Sequence, residues 1–360
     1  MRTDAMRIVD IAGTPHERGR AHGAALRPQI AEMVERWSRR AEQRTGGGVG
    51  AFLNRFLADT DFGSAIARWT PELEAEVRGI AEGAGQPEEI IFALQLLDEE
   101  WWYGGAEWPA HCSSLALAPR DGQPARVAQT LDLPQWREGL QAVLRITDAV
   151  GGPAYILTCA GMIGLMGVTA CGFGLCVNTL IQLSHSRTGL PVAFVVRGAL
   201  AQPDRAAAVR FLTTVDHASG QNYVLGDRHG VAMLECSAGA KAEHKPGADR
   251  LWHTNHPLAS RDLASGGIGN DWRTDSVLRC AALERRLADP AAPVDLTAVQ
   301  AALASRDDPA SPVSIVPDPA ASPDKGCTLT AVIYEFGDTT TLHYTGGAPS
   351  VVDWATLRVG

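Results

Sequence analysis

The stretch from residue 106 to 132, AEWPAHCSSLALAPRDGQPARVAQTLD, decides how the chain is read. From Cys112 the side chains are small or alternate with apolar ones, Asp121-Gly122 gives a two-residue turn, and a second apolar run returns. This is the pattern of a β-hairpin. A cysteine stands at its head. A buried core thiol is one reading of Cys112, since free cysteine is often fully buried. A nucleophile at the tip of a strand is the other.

Working outward, the chain has 360 residues, 45% of them hydrophobic, enough for one large core or two moderate ones and unlike a disordered composition. A formal charge of −9 speaks against nucleic-acid or anionic-membrane partners, which call for a basic face. The opening MRTDAMRIVDIAG lacks the apolar core of a signal peptide and no apolar run is long enough to span a membrane, so a cytoplasmic location is expected. Seven scattered cysteines, an odd number, read as reduced thiols. Cys171 and Cys176 have no second pair to complete a zinc site, and HTNH (253–256) lacks a zincin's glutamate and spacing, so no metal and no cofactor are expected.

Before the hairpin the pattern is helical. Residues 15–43 carry Ala25, Leu26, Ile30, Met33, Val34 and Trp37 at three-to-four spacing, predicting one amphipathic helix that the glycines of 44–50 end. Further helices are predicted over 54–69, 70–85 and 87–102, the second with Thr70 as N-cap, Pro71 at the first turn and Gly83 or Gly85 as its stop. After residue 110, strand-and-turn units dominate: 140–161 around VGGP, 172–183, 221–239 turning at Asp227–Gly230, and 327–347. Helical stretches at 191–215 and 271–290 interrupt them, and the Pro/Ala-rich run 287–324 reads as a surface excursion or lid. The whole is an α+β layered fold.

The chemistry narrows by elimination. There is no Gly-x-Ser-x-Gly elbow and no phosphate-cradling Gly-rich loop with Lys-Ser or Lys-Thr. Cys112 remains. A thiol is mostly protonated at neutral pH and needs activation. Cleavage of the His111–Cys112 bond would free an α-amino group, with a pKa of about 7.7–8.0, beside its own thiol. One residue then supplies nucleophile and base.

At this point the sequence resembles the cysteine N-terminal-nucleophile (Ntn) hydrolases related to acyl-coenzyme A:6-aminopenicillanate acyltransferase, peptidase family C45, with bile-salt hydrolases as more distant relatives. Five stretches carry the resemblance in order: GTPHERGRAHGAAL (13–26), the Cys112 hairpin, GMIGLMGVTACGFGLCVNTL (161–180), GQNYVLGDRHGVAMLE (220–235) and LWHTNHPL (251–258). It implies a four-layer αββα sandwich and self-cleavage into a helical propeptide or α-chain, 1–111, and a catalytic β-chain, 112–360, packed as one unit. It aligns Cys112 with the nucleophile, Asp132 with the carboxylate that binds its ammonium or orders the Cys, and Asn255 with the oxyanion donor. Asn178 is either a second polar contact or structural. Asn222 and Asp227 are expected to build their hairpin, and Cys171, Cys176 and Cys236 to be core thiols. The family places Gly before its nucleophile where this chain has His111, which either restricts the strained conformation that cleavage needs or assists proton transfer. Lys325 is the basic residue nearest to the position of the family's late arginine. Trp101, Trp102 and Trp108 either line an apolar acyl pocket or pack helices.

The leading expectation is an amide hydrolase acting through a Cys112 thioester on a small-molecule or peptidic amide. The alternative is an N-acyltransferase that passes the acyl group to an amine, with coenzyme A as one conceivable donor, although no dedicated coenzyme A motif is visible. An unprocessed binding protein and an ordinary Cys–His protease are the remaining readings. The self-cleaved α/β heterodimer is the expected state, with no nucleic-acid or membrane partner.

Overall fold

Asp121 and Gly122 have φ of 51° and 77° between the paired Arg120 and Gln123. Positive φ at both turn positions is what a type I′ hairpin requires, and Asp-Gly meets it with little strain. The turn therefore folds Ser113–Leu117 back on Ala125–Pro134, with Ser113 opposite Thr130. Every residue of both strands is buried. A strand buried on both faces must lie inside a stack of layers.

The computed structural model describes residues 6–45, 48–104, 112–149, 151–265 and 270–360, without the side chains of 44–45 and 270–273. Among them the strands form two sheets. The first has eight, in the order β1 (Arg7–Ile11), β4 (Gln141–Ile146), β5 (Ala154–Cys159), β6 (Met166–Thr169), β7 (Phe173–Thr179), β8 (Gln221–Asp227), β9 (Gly230–Cys236) and β10 (Lys241–Glu243). The second has six, β11 (Arg250–His253), β2 (Ser113–Leu117), β3 (Ala125–Pro134), β12 (Gly326–Phe336), β13 (Thr340–Tyr344) and β14 (Ala355–Val359). All neighbours run antiparallel except β1, which lies parallel to β4.

The sheets stack face to face. A Cβ on Gly174 or Gly226 of the first sheet would strike Tyr334, Phe336 or Val127 of the second, and Ser114 donates across the gap to Asn178. Helices cover the outsides. The N-terminal ones are α1 (Pro15–Ala25), α2 (Arg27–Thr45), α3 (Val49–Ala58), α4 (Phe62–Trp69), α5 (Pro71–Ala84), α6 (Glu88–Leu94) and α7 (Leu97–Gly104). With α8 (Val192–Leu200) and α9 (Arg205–Thr214) they join the main core on the first sheet's side. On the other side α10 (Asn270–Leu287) and α11 (Leu296–Leu303) bury Leu283, Leu287, Val299 and Leu303 against Leu115, Ala128 and Ile333. The result is a four-layer αββα sandwich, the α+β fold expected.

Three local expectations change. The helix expected over 15–43 is two, broken at Leu26, because Pro28 has no N–H to continue the ladder but fits the first turn of α2. The first hundred residues, read as helical throughout, also hold β1, whose five residues add an edge strand to the first sheet. The 287–324 excursion contains α11, N-capped by Asp295 and packed into the second core, and is no simple lid. Thr70 does precede α5 and Gly85 closes it at φ 66°, though the Thr70 hydroxyl makes no cap bond.

The N-terminal helices are bound to the rest by close contacts. Gly19 and Gly23 of α1 cross Gly79 and Gly83 of α5 so tightly that a Cβ on Gly19 would lie 2.0 Å from the Glu76 carbonyl. Behind that crossing Glu76 and Arg197 form a buried two-pronged ion pair at 2.6 and 2.9 Å, and Arg197 also donates to the Ile163 carbonyl at 2.7 Å.

Candidate active site

Cys112 immediately precedes β2, buried, at the end of an inner strand. Its neighbour Ser114 points between the sheets, and alternation along the strand puts Cys112 on that face and Ser113 on the opposite one, toward α10. The thiol lies 3.9 Å from the Asp132 carbonyl and lines a narrow cavity of about 30 Å³. That volume holds two or three waters at about 10–15 Å³ each. Burial first, then the nearby Asp132 carboxyl, pushes the Cys112 thiol up to about 12. In the continuous chain it is a poor thiolate.

Asp132 is fully buried opposite Thr328 of β12. The Thr328 and Thr130 hydroxyls and the Arg279 guanidinium lie near enough to favour its charge, yet neither carboxyl oxygen accepts a hydrogen bond of good geometry. Burial outweighs those neighbours and raises its pKa to about 7. A buried carboxyl in that condition is costly unless a donor or cation completes it.

Asn255 sits two residues beyond β11, fully buried. Its Oδ1 accepts from Arg279 Nη2 at 3.0 Å and its Nδ2 donates to the Thr179 carbonyl at 3.0 Å. Arginine only donates, so the amide orientation is fixed, with the NH₂ turned toward β7. The loop around it is held by Glu235, which accepts from His253 Nε2 at 2.8 Å and from the amides of Leu258, Ala259 and Ser260. Burial opposes the Glu235 charge, but the His253 hydrogen bond and those amides prevail and hold its pKa below the usual value.

Arg279 of α10 is the residue that the sequence reading missed. Its Nη1 donates to the Cys112 carbonyl and to Ser113 Oγ, both at 2.9 Å, and its Nε to Asp275 at 2.9 Å. The signal was present. Ser276, Leu283 and Leu287 mark the buried stripe of α10, and Arg279 falls on it, where an arginine is rarely placed without partners.

Asn178 of β7 is brought near, but its Oδ1 is occupied by Ser114 Oγ at 2.6 Å and Asn222 Nδ2 at 3.1 Å between the sheets. That arrangement ties the layers together. Asp227 accepts from the amides of His229 and Gly230, closing its own turn. Trp101 lines the cavity with Cys112, whereas Trp102 donates to Ser219 and stacks on His185 at 4.3 Å, off the cavity wall. Trp108 and His111 lie outside the described residues. Lys325 is exposed, with Nζ 3.9 Å from Asp318 and no place on the cavity wall, so the cation beside Cys112 is Arg279 instead. None of the seven cysteines is in a disulfide, and Cys176 and Cys236 are buried in the main core. Among the described residues no cluster of three or more His, Cys, Asp or Glu could hold a metal, and no helix is long and apolar enough to cross a membrane.

A four-layer αββα sandwich with a cysteine heading an inner strand defines an Ntn-type protein of the acylase and acyltransferase kind. The chain belongs to the acyl-coenzyme A:6-aminopenicillanic acid acyl-transferase family, whose model matches residues 143–349. It is 25% identical over 254 residues to the 40 kDa form of acyl-coenzyme A:6-aminopenicillanic-acid-acyltransferase from Emericella nidulans, covering 69% of each chain. Among solved structures it is similar to penicillin V acylase from Agrobacterium tumefaciens, with a TM-score of 0.37, 13% identity, and coverage of 69% of this chain and 86% of that one.

Proposed function

We propose that the chain is a self-processing amide hydrolase whose nucleophile is Cys112. The observation that carries this reading is that Arg279 holds the Cys112 carbonyl and Asn255 Oδ1 together, with a buried Asp132 carboxyl lacking a well-made hydrogen bond close to the thiol.

The first reaction is on the chain itself. Cys112 Sγ attacks the His111 carbonyl, the bond to the Cys112 nitrogen breaks, and that nitrogen takes the thiol proton. Water then hydrolyses the thioester, leaving a carboxylate on His111 and a free thiol and amine on Cys112. The new ammonium gives the Asp132 carboxyl its missing cation, and its deprotonated form serves as base for the thiol next to it. In turnover the thiol adds to an amide carbonyl and the Asn255 NH₂ stabilises the oxyanion. The α-amine passes a proton to the departing amine, and water resolves the thioester. The two fragments remain associated through β1 in the first sheet and the Glu76–Arg197 pair.

The Emericella relative's name supports a second outcome, in which an amine rather than water accepts the acyl group from the same thioester. The deciding experiment is intact-mass spectrometry with an amide panel. Wild type is expected to yield two fragments meeting at His111/Cys112 and to release amine, and Cys112→Ala to stay whole and inactive. An uncut wild type that cleaves no amide would overturn the proposal. Diversion of product to a new amide when free amine is added would assign acyl transfer.

A further inference from the structure

His253, the last residue of β11, is fully buried, and both of its ring nitrogens face acceptors. Nε2 lies 2.8 Å from Glu235 Oε1 and Nδ1 lies 2.8 Å from the Thr254 carbonyl oxygen. A carbonyl only accepts, so Nδ1 carries a hydrogen. Glu235 accepts on its two oxygens from the amides of Leu258, Ala259 and Ser260, the setting of a carboxylate, so Nε2 carries a hydrogen as well. A ring with both hydrogens is an imidazolium. Two further rings stand around it, His244 at 6.1 Å and His256 at 6.5 Å between centres. Burial first, then His253 itself, holds His244 down to about 4, which leaves that ring uncharged beside the cation.

The Thr254 carbonyl belongs to the peptide whose nitrogen is that of Asn255. That N–H donates to Ser276 Oγ of α10 at 2.7 Å. The Ser276 hydroxyl itself donates to Thr254 Oγ1 at 2.9 Å, and the Thr254 hydroxyl to the Ser276 carbonyl at 2.8 Å, so Ser276 Oγ is left to accept from Asn255. One peptide plane is thereby gripped at both ends, by His253 on its oxygen and by α10 on its nitrogen. The Asn255 carbonyl accepts in turn from Gln182 Nε2 at 2.9 Å. A neutral imidazole has one N–H and would leave a lone pair facing either the Thr254 carbonyl or Glu235.

We propose that His253 is a positioning residue whose imidazolium, anchored on Glu235, sets the Thr254–Asn255 peptide plane and with it the direction of the Asn255 NH₂. This rests on the reading of Cys112 as nucleophile and Asn255 as oxyanion donor. His253 does not line the cavity beside the thiol, and it acts through Asn255.

The test has two arms. The first is NMR spectroscopy of the wild-type protein with ¹⁵N-labelled histidine and asparagine, the signals being assigned by their loss in His253→Gln and Asn255→Ala. Two protonated nitrogens on the His253 ring at neutral pH, and an Asn255 NH₂ signal that moves in His253→Gln, are expected. A singly protonated ring, or an NH₂ signal that stays in place, would overturn the proposal. The second arm is kinetics on an amide that wild type cleaves. Gln at 253 cannot donate in both directions, and the loss of a charged hydrogen bond predicts a fall in kcat of about tenfold or more with KM within about twofold. In an Asn255→Ala background the same substitution is expected to change kcat by less than about twofold, because residues acting as one unit are not additive. Losses that multiply, or an unchanged kcat in the single variant, would refute the positioning role and leave Cys112 and Asn255 untouched. Thermal denaturation shows whether His253→Gln is folded; if it is not, Glu235→Gln, which removes the counter-charge, takes its place with the same expected outcomes. If wild type cleaves no amide, the hydrolase reading is what fails, and the first arm alone decides on His253.

Discussion

The guanidinium of Arg279 donates to the backbone carbonyl of Cys112 at 2.9 Å, joining α10 to the head of β2 across 167 residues of chain. The same side chain holds Ser113 Oγ and Asn255 Oδ1, so one planar fork sets the positions of the Cys112 backbone and the Asn255 amide together. Arg279→Ala leaves at least three buried acceptors short of a donor. The expected loss is about 3–5 kcal/mol of stability, the range for breaking a buried charged contact, read by urea denaturation. Arg279→Lys keeps the charge but cannot make the fork, and should recover part of the stability while activity stays depressed. Full activity in the Lys variant would refute the positioning role.

The two asparagines separate function from structure. Asn255→Ala removes the proposed oxyanion donor, and kcat on any cleaved amide is expected to fall about 10²–10³-fold. Asn178→Ala strands the Ser114 hydroxyl and the Asn222 amide between the sheets, and should cost about 1–3 kcal/mol of stability with a much smaller change in kcat. Steady-state kinetics and denaturation midpoints measured on both variants check the division. Equal kinetic losses would assign Asn178 a place in catalysis.

If the chain cuts itself before Cys112, the fragments must hold together without that bond. The buried Glu76–Arg197 pair joins α5 to α8, and β1 is hydrogen-bonded to β4. Size-exclusion chromatography of the cut protein is expected to show one species of the mass of the whole chain. Glu76→Gln leaves Arg197 buried without its counter-charge and lowers stability by about 3–5 kcal/mol. Free α-fragment in native wild-type preparations would contradict this.

Much of the fold was legible in the sequence because its signals were local. Asp121-Gly122 specified its turn, and the small and alternating residues after Cys112 specified strands. β1 was hidden because five residues alternate too briefly to stand out before a helix, and what stabilises them is pairing with β4, 135 residues away. The break at Leu26 was marked by Pro28 but masked by the continuing apolar period. At the candidate site, Cys112, Asp132 and Asn255 were named from motifs that a family resemblance could carry. Arg279 was not, since it is an ordinary charged residue on a helix until tertiary packing buries it beside Cys112.

Burial also leaves a trace in the pH dependence of stability. Desolvation first, and then the neighbouring Asp98, raises Glu99 from the ordinary 4.5 to about 8, despite the Ser219 hydrogen bond. The folded chain therefore keeps a proton on Glu99 that the unfolded chain gives up near 4.5. The native state binds more protons over that interval, so this contribution to stability is whole below about pH 4.5, declines as pH rises, and is lost above about pH 8. Asp132, raised to about 7 by burial, contributes with the same sign, whereas Glu235, held low chiefly by His253, loses its contribution as pH falls through its folded value. Glu99→Gln removes only the first term. In a Cys112→Ala background, which keeps the chain continuous, urea midpoints between about pH 5 and 9 should fall less steeply for Glu99→Gln than for its parent. The variant gains on the parent as pH rises, and parallel curves would show that Glu99 is ionised in the folded chain throughout.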